Sequence, residues 1–255
     1  VDKHIKKALT VSIKTAKKAG KYLLQKFYAN DIAVIRDYRH DIKLHVDIEA
    51  EELIKLSLRR HFPDHGFICE ESGTEQSKTG FSWVIDPLDG TVNFARGIPH
   101  FCTSIALKRE NEYLTGVVFD PARNELFSAI KDEAAWLNGV PLRKKNIDSL
   151  SDAIVAGGFL HEGALQKGTK TFAQLANMIK KLRLFGSGAL DLCYIAANRV
   201  NGYIHYSTNE WDIAAASLIA ALSGARIDIR ERDGMLDVLA ADETIFDELK
   251  KTAYF

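Results

Sequence analysis

The sequence predicts an α+β half followed by an α/β half, with the change of character near residues 146–152. Three observations carry this. Residues 81–145 hold short alternating apolar runs separated by turn signals, the pattern of an antiparallel sheet. From about Asp152 short apolar runs alternate with helix-length stretches, the pattern of strand–helix units. One long run of helical period precedes both. The predicted division is 1–148 for the first unit and 149–255 for the second.

Each element has its own signal. Ile5, Leu9, Ile13, Ala16, Ala19, Leu23 and Phe27 recur at helical spacing over residues 3–29, with lysines on the other face. Asn30-Asp31 ends that helix. Residues 32–35 read as a short strand. Ile42, Leu44 and Val46 alternate with Lys43 and His45 as a half-buried strand. Asp47 stands where a helix N-cap belongs, ahead of a helix through about Arg60. Pro63-Asp64-His65-Gly66 is a turn, Phe67-Ile68-Cys69 a short buried strand, and 74–80 a polar, mobile loop. Strands follow at 83–85, 101–107, 113–119, 125–130 and 134–137, with Asn138-Gly139 as a hairpin turn. The second half reads as strands at 153–156, 182–185, 203–206, 225–229 and 236–239. Its helices fall at 164–180, 189–197, 211–223 and 242–251.

Composition excludes several classes. The 255 residues suffice for a substantial core. Thirty-four basic residues balance thirty-four acidic ones, which gives no electrostatic reason to expect nucleic acid or a membrane surface as partner. Cys69, Cys102 and Cys193 form no CxxC pair and read as buried thiols of a reducing compartment. No apolar run approaches the ~20 residues of a membrane span. No signal peptide precedes Val1, and a cytoplasmic location is expected.

The chemistry concentrates at Trp83-Val84-Ile85-Asp86-Pro87-Leu88-Asp89-Gly90-Thr91-Val92-Asn93-Phe94. A buried strand ends in two carboxylates three residues apart. Pro87 forces a bend between them, and Gly90 lets the backbone approach a ligand. Carboxylates plus free backbone N–H groups suit a divalent metal with a phosphate, since Mg²⁺ takes oxygen ligands from carboxylates and phosphates. The tetrapeptide alone is equally an ordinary turn. Glu70, after one strand, and Asp212, opening a helix after another, add two carboxylates at element ends.

These stretches resemble the inositol monophosphatase family of Mg²⁺-dependent, lithium-sensitive phosphatases. The matching segments are Glu70-Glu71-Ser72, Asp86 through Phe94, Trp211-Asp212-Ile213-Ala214-Ala215, and Gly186-Ser187-Gly188-Ala189-Leu190-Asp191. They run in order along the whole chain. The resemblance implies the layered αβαβα sandwich of the sugar phosphatases. It implies two or three Mg²⁺ held by Glu70, Asp86, Asp89, Asp212 and the carbonyl of Leu88. Asp47, Thr91 and Glu70 become the catalytic residues, with Thr91 and Asp47 orienting the attacking water. Phosphate falls to Asp89, Gly90 and Thr91. The substrate alcohol falls to Arg183, Gly186, Ser187, Gly188, His205 and Asp212. Asp47 is also read as a helix cap, the 186–189 loop as a Ser-capped helix start, Arg183 as a surface residue and Glu71 as a neighbour of the ligands. Positions that depart from the family pattern include His205 where Glu is usual, Cys69 where Gly is found, Arg36 where Lys is frequent, and Leu44 where Thr is found.

The function implied is hydrolysis of a small phosphomonoester, with inositol monophosphate the leading substrate. Fructose 1,6-bisphosphate, 3′-phosphoadenosine 5′-phosphate and histidinol phosphate are the alternatives, and Val92-Asn93 departs from the nucleotide enzymes' motif. A second class of role is regulatory, since some bacterial family members act in ribosomal RNA transcription complexes. The partners implied are the phosphorylated substrate and a second copy of the chain in a homodimer.

Overall fold

Alternation along the strands decides how the layers stack. In the computed structural model, which describes residues 2–29, 33–37, 42–158, 162–253 and 255, the chain runs through seven described helices and three sheets. The first half contains α1 (Lys3–Ala29), β1 (Val34–Asp37), β2 (Ile42–Leu44), α2 (His45–Arg59), β3 (Gly66–Cys69), β4 (Gly73–Glu75), β5 (Phe81–Asp89), α3 (Thr91–Ala95), β6 (Cys102–Arg109), β7 (Glu112–Asp120), β8 (Glu125–Ile130), β9 (Ala134–Leu137) and β10 (Val140–Pro141). The second contains β11 (Ile154–Gly158), α4 (Glu162–Leu175), β12 (Lys181–Arg183), α5 (Gly188–Ala196), β13 (Gly202–Thr208), α6 (Glu210–Ser223), β14 (Arg226–Arg232), β15 (Met235–Ala241) and α7 (Phe246–Thr252).

An eight-stranded sheet has the order β10-β9-β8-β7-β6-β5-β3-β4, and a five-stranded one the order β12-β11-β13-β15-β14. On β5, Trp83 and Ile85 face one layer and Val84 the other, so the strand needs apolar residues on both faces. Trp83, Ile85, Ile105 and Val117 pack on Ala8 and Ala16 of α1 and on Ile54 and Leu58 of α2. Val84, Ala106 and Val118 pack on Leu190 and Ile195 of α5 and on Ala215 and Ile219 of α6. Tyr203 and Val238 of the second sheet close the same core from the far side. Ile204 and Leu239 face outward onto Phe172 and Leu175 of α4 and Leu249 of α7. The result is the predicted five layers, helix–sheet–helix–sheet–helix.

Several boundaries differ from the sequence reading. β2 ends at Leu44, and α2 starts at His45, two residues before Asp47. Asp47 therefore caps from inside the first turn: its Oδ2 accepts the Leu44 N–H at 2.7 Å. Residues 73–75 pair antiparallel with β3 and are not loop. α4 stops at Leu175, because the Lys180 and Lys181 N–H groups turn to the Ala153 carbonyl and lead into β12. The second sheet is mixed: β11 is parallel to β12 and β13, while β13–β15 and β15–β14 are antiparallel. Asp233-Gly234 joins β14 directly to β15, so no crossover helix intervenes. The predicted stop at Asn30-Asp31 and the strand start at Ile32 lie outside the described residues.

Candidate active site

β5 delivers two carboxylates where its pairing with β6 breaks register. Asp86 lies opposite Ser104 and Asp89 opposite Cys102, with an irregularity between them. Asp86 Oδ1 accepts the Leu88 N–H at 2.9 Å and closes the bend. Both carboxylates are buried. Gly90 follows at φ 93°, and a Cβ there would stand 2.8 Å from the His100 carbonyl, so this turn requires glycine. Thr91 then starts α3, and its hydroxyl donates to the Leu88 carbonyl at 2.9 Å.

Parallel pairing of β3 beside β5 brings in Glu70, whose N–H donates to the Ile85 carbonyl at 3.3 Å. Glu51 of α2 holds this loop by accepting the N–H groups of Glu71 at 2.8 Å and Ser72 at 3.1 Å. Lys43 forms an ion pair with Glu71. Asp212 arrives as the third residue of α6, and its Oδ2 accepts from Thr208 Oγ1 at 2.6 Å and the Asn209 N–H at 2.9 Å. The start of α6 is fixed from the first sheet as well. Glu210 accepts from Lys108 Nζ at 2.6 Å and from the Tyr113 hydroxyl at 2.9 Å.

The carboxylates act on one another. Burial pushes Glu70 well above the usual carboxylate range, and the charges of Asp212, Glu71 and Asp47 push it further. Burial raises Asp86 likewise, followed by Glu70, Asp89 and Asp212. Asp89 is pushed up to about 7 by burial; its bond from Ser187 opposes the shift and the charge of Asp212 adds to it. All-oxygen donors of like charge, Asp86 and Asp89 buried and Glu70 and Asp212 half-buried, fit a hard divalent cation. Among the described residues no three acidic, His or Cys side chains converge on one point. Asp89 and Asp212 each turn one oxygen toward protein donors.

For Asp89 those donors lie on the 186–189 loop. Ser187 Oγ donates at 2.5 Å, the Ala189 N–H at 2.8 Å, and Cys102 Sγ lies at 3.7 Å. Ser187 is buried and also caps α5, accepting the Leu190 N–H at 3.4 Å. The Asn93 amide donates to the carbonyls of His100 at 2.9 Å and Phe185 at 2.7 Å, tying α3 to the loop. Gly188 lies against the buried Tyr203, since a Cβ on it would come 2.9 Å from the phenol oxygen. That hydroxyl meets His205 Nδ1 at 2.7 Å. Burial raises the Tyr203 pKa, so the phenol keeps its proton, and which of the two atoms donates follows the imidazole tautomer. His205, half-buried, shares the face of β13 with Tyr203. Arg183 is exposed and donates to the Leu182 carbonyl at 3.0 Å.

The structure thus links Glu70, Asp86, Asp89 and Asp212 through their charges, places Asp47 within the field of Glu70, and attaches the 186–189 loop to Asp89. Arg183 shows no contact with this group. Glu51, Thr208, Asn93 and the Lys108–Glu210–Tyr113 bracket escaped the sequence reading. Asn93 lay inside the central motif and Thr208 four residues before Asp212, but Glu51 and Lys108 carried no local signal.

The profile of the inositol monophosphatase family matches residues 4–248. A relative named Nus factor SuhB, from Pasteurella multocida strain Pm70, is 39% identical over 224 residues, which are 86% of this chain and 84% of the relative. The solved extragenic suppressor protein suhB from Bartonella henselae superposes with a TM-score of 0.91 at 29% identity, covering 96% of this chain and 98% of the other. The inositol monophosphatase from Anabaena (Nostoc) sp. PCC 7120 superposes at 0.86 with 27% identity, covering 98% and 96%. No described helix is long and apolar enough to cross a membrane.

Proposed function

The chain belongs to the inositol monophosphatase family, and on that premise we propose that it hydrolyses a small phosphomonoester, inositol monophosphate first among them. The supporting observation is the gathering of Glu70, Asp86, Asp89 and Asp212 at the ends of β3 and β5 and the start of α6, close enough to raise one another's pKa. In this reading Mg²⁺ is held by those four carboxylates and the Leu88 carbonyl, and supplies a water of lowered pKa and neutralisation of phosphate charge. Thr91 donates its proton to Leu88, which leaves its oxygen lone pairs to accept from the attacking water. The Leu88 carbonyl has a second lone pair for a cation. Asp47, anchored through Oδ2 by the Leu44 N–H, assists in removing the water's proton. The backbone at Gly90 and Thr91 binds phosphate oxygens, and the left-handed Gly90 sets its direction. His205 and the 186–189 loop take the alcohol. Phosphate release from a panel of inositol, sugar, nucleotide and histidinol phosphates, with and without Mg²⁺, tests this. Metal-independent or absent release across the panel would overturn it.

A second reading rests on the 39%-identical relative named a Nus factor: the chain takes part in a transcription complex. Pull-down of transcription components with the wild type and with Asp86→Asn separates the roles. Capture by both proteins supports the regulatory role independently of catalysis. A homodimer belongs to the same proposal, and sedimentation tests it.

A further inference from the structure

We propose that the lysine face of α1 is a docking surface for double-helical nucleic acid, held through the phosphate backbone. The inference does not rest on the phosphatase reading. α1 carries eight lysines and no acidic residue. With 34 basic and 34 acidic residues overall, this leaves the remainder of the chain with eight more acids than bases. The overall neutrality therefore hides a strong local asymmetry. Lys3, Lys6, Lys7, Lys14, Lys17, Lys18 and Lys21 are all exposed. At helical spacing they fall within roughly a third of the circumference and extend about 27 Å along the axis. The opposite face, including Ile5, Ala8, Ala16, Ala19 and Leu23, is buried.

The protein itself neutralises little of this stripe. Lys6 pairs with Glu133 at 3.0 Å, and Lys7 lies over the Phe62 ring at 5.0 Å. Glu49, Glu52 and the exposed Leu56 of the neighbouring α2, with Arg60 just past its end, share a groove with Lys18. Among the described residues, Lys3, Lys14, Lys17, Lys18 and Lys21 have no acidic partner at ion-pair distance. Lys3–Lys7, Lys14–Lys18 and Lys17–Lys21 are like charges one turn apart, an arrangement unfavourable on an isolated helix and relieved by a polyanion.

The side chains around the lysines select the polyanion. A membrane-surface helix needs apolar residues to insert beside its basic face, and the one exposed large apolar residue of α1 is Tyr28, beyond the lysine run. Single strands are held by aromatic stacking platforms, and the stripe contains none. A straight row of ammonium groups, on a helix that itself carries no Arg and no Asn to read a base edge, fits evenly spaced phosphates without sequence preference.

The test is fluorescence anisotropy of the 255-residue chain with RNA and DNA duplexes of about 20 base pairs, a matching single strand and phosphatidylserine vesicles, across a KCl series. The variant Lys14→Gln/Lys17→Gln/Lys18→Gln/Lys21→Gln is compared with the charge-matched control Lys78→Gln/Lys145→Gln/Lys181→Gln/Lys251→Gln. We expect salt-dependent binding to duplex phosphate, tighter for either duplex than for the single strand or the vesicles. The α1 variant should weaken it at least tenfold and flatten the log–log salt slope by about three units, with Tm unchanged or slightly raised by loss of the like-charge pairs. The control should bind as wild type. No duplex binding at low salt, equal losses in both variants, or tighter binding to vesicles or the single strand would each overturn the proposal.

Discussion

The hydroxyl of Ser187 donates to Asp89 Oδ2 at 2.5 Å, between residues 98 positions apart in the chain. One oxygen of a proposed metal ligand is thereby fixed by the cap residue of a helix from the other half of the molecule. The N-terminal end of α5 favours that negative charge. Ser187→Ala removes this bond and the cap together. It should cost about 1–2 kcal/mol of stability and raise the Mg²⁺ concentration for half-maximal activity severalfold. Thermal unfolding and a Mg²⁺ titration measure the two effects, and an unchanged Mg²⁺ requirement would restrict Ser187 to capping.

Asp86 is buried among Glu70, Asp89 and Asp212. Asp86→Asn or Asp212→Asn should abolish Mg²⁺-dependent phosphate release while leaving circular dichroism unchanged. Removing one like charge should also raise the Tm of the metal-free protein by a few degrees, equivalent to about 1 kcal/mol. Most of the activity surviving in either variant would remove that residue from the site.

The Tyr203 hydroxyl occupies His205 Nδ1, leaving Nε2 as the ring's other polar atom, one position in place of the two acceptor oxygens of a carboxylate. His205→Glu should improve kcat/KM for inositol monophosphate relative to other phosphomonoesters, mainly through KM. Tyr203→Phe removes this contact and should shift the same ratio. Ratios unchanged in both variants would place alcohol recognition elsewhere.

Lys108 and Tyr113 hold Glu210 two residues before Asp212. Glu210→Gln should weaken Mg²⁺ binding by calorimetry about fivefold. Combining it with Lys108→Met should add little, because both remove one interaction. Fully additive losses would show that the pair does not act as a unit.

His65 is buried between Phe62 and Phe81, at ring-centroid distances of 4.8 Å and 5.2 Å. Burial, then the charge of His4, lowers its pKa to about 4. The unfolded value is about 6.5, so between those limits the unfolded chain binds more protons than the folded one. Stability should therefore be fully present above about pH 6.5 and decline, by about 1–3 kcal/mol, as pH falls toward 4. His65→Phe should flatten the dependence of Tm on pH in that window. An identical slope in wild type and variant would assign the acid sensitivity to other groups.

The sequence by itself determined most elements and the identities of the acidic residues. Periodicity is local: the spacing of Ile5 to Phe27 requires a helix, and Trp83-Val84-Ile85 requires a strand buried on both faces. Asp86-Pro87-Leu88-Asp89-Gly90-Thr91 carries its bend in its own residue types. Tertiary structure decided what depends on distant partners. The Leu44 N–H moved the entry of α2 ahead of Asp47. Pairing with β3 made a strand of residues 73–75, and the Ala153 carbonyl drew Lys180 and Lys181 out of α4. Only the packing of α5 and α6 between two sheets brought Ser187 to Asp89 and Lys108 to Glu210, contacts that span about a hundred residues and leave no periodic trace. Packing on the other face of the eight-stranded sheet, beside α2, buried one face of α1 and left its lysines outside. A balanced charge count could not reveal that stripe, because net charge sums over a surface whereas screening confines each field to about 10 Å.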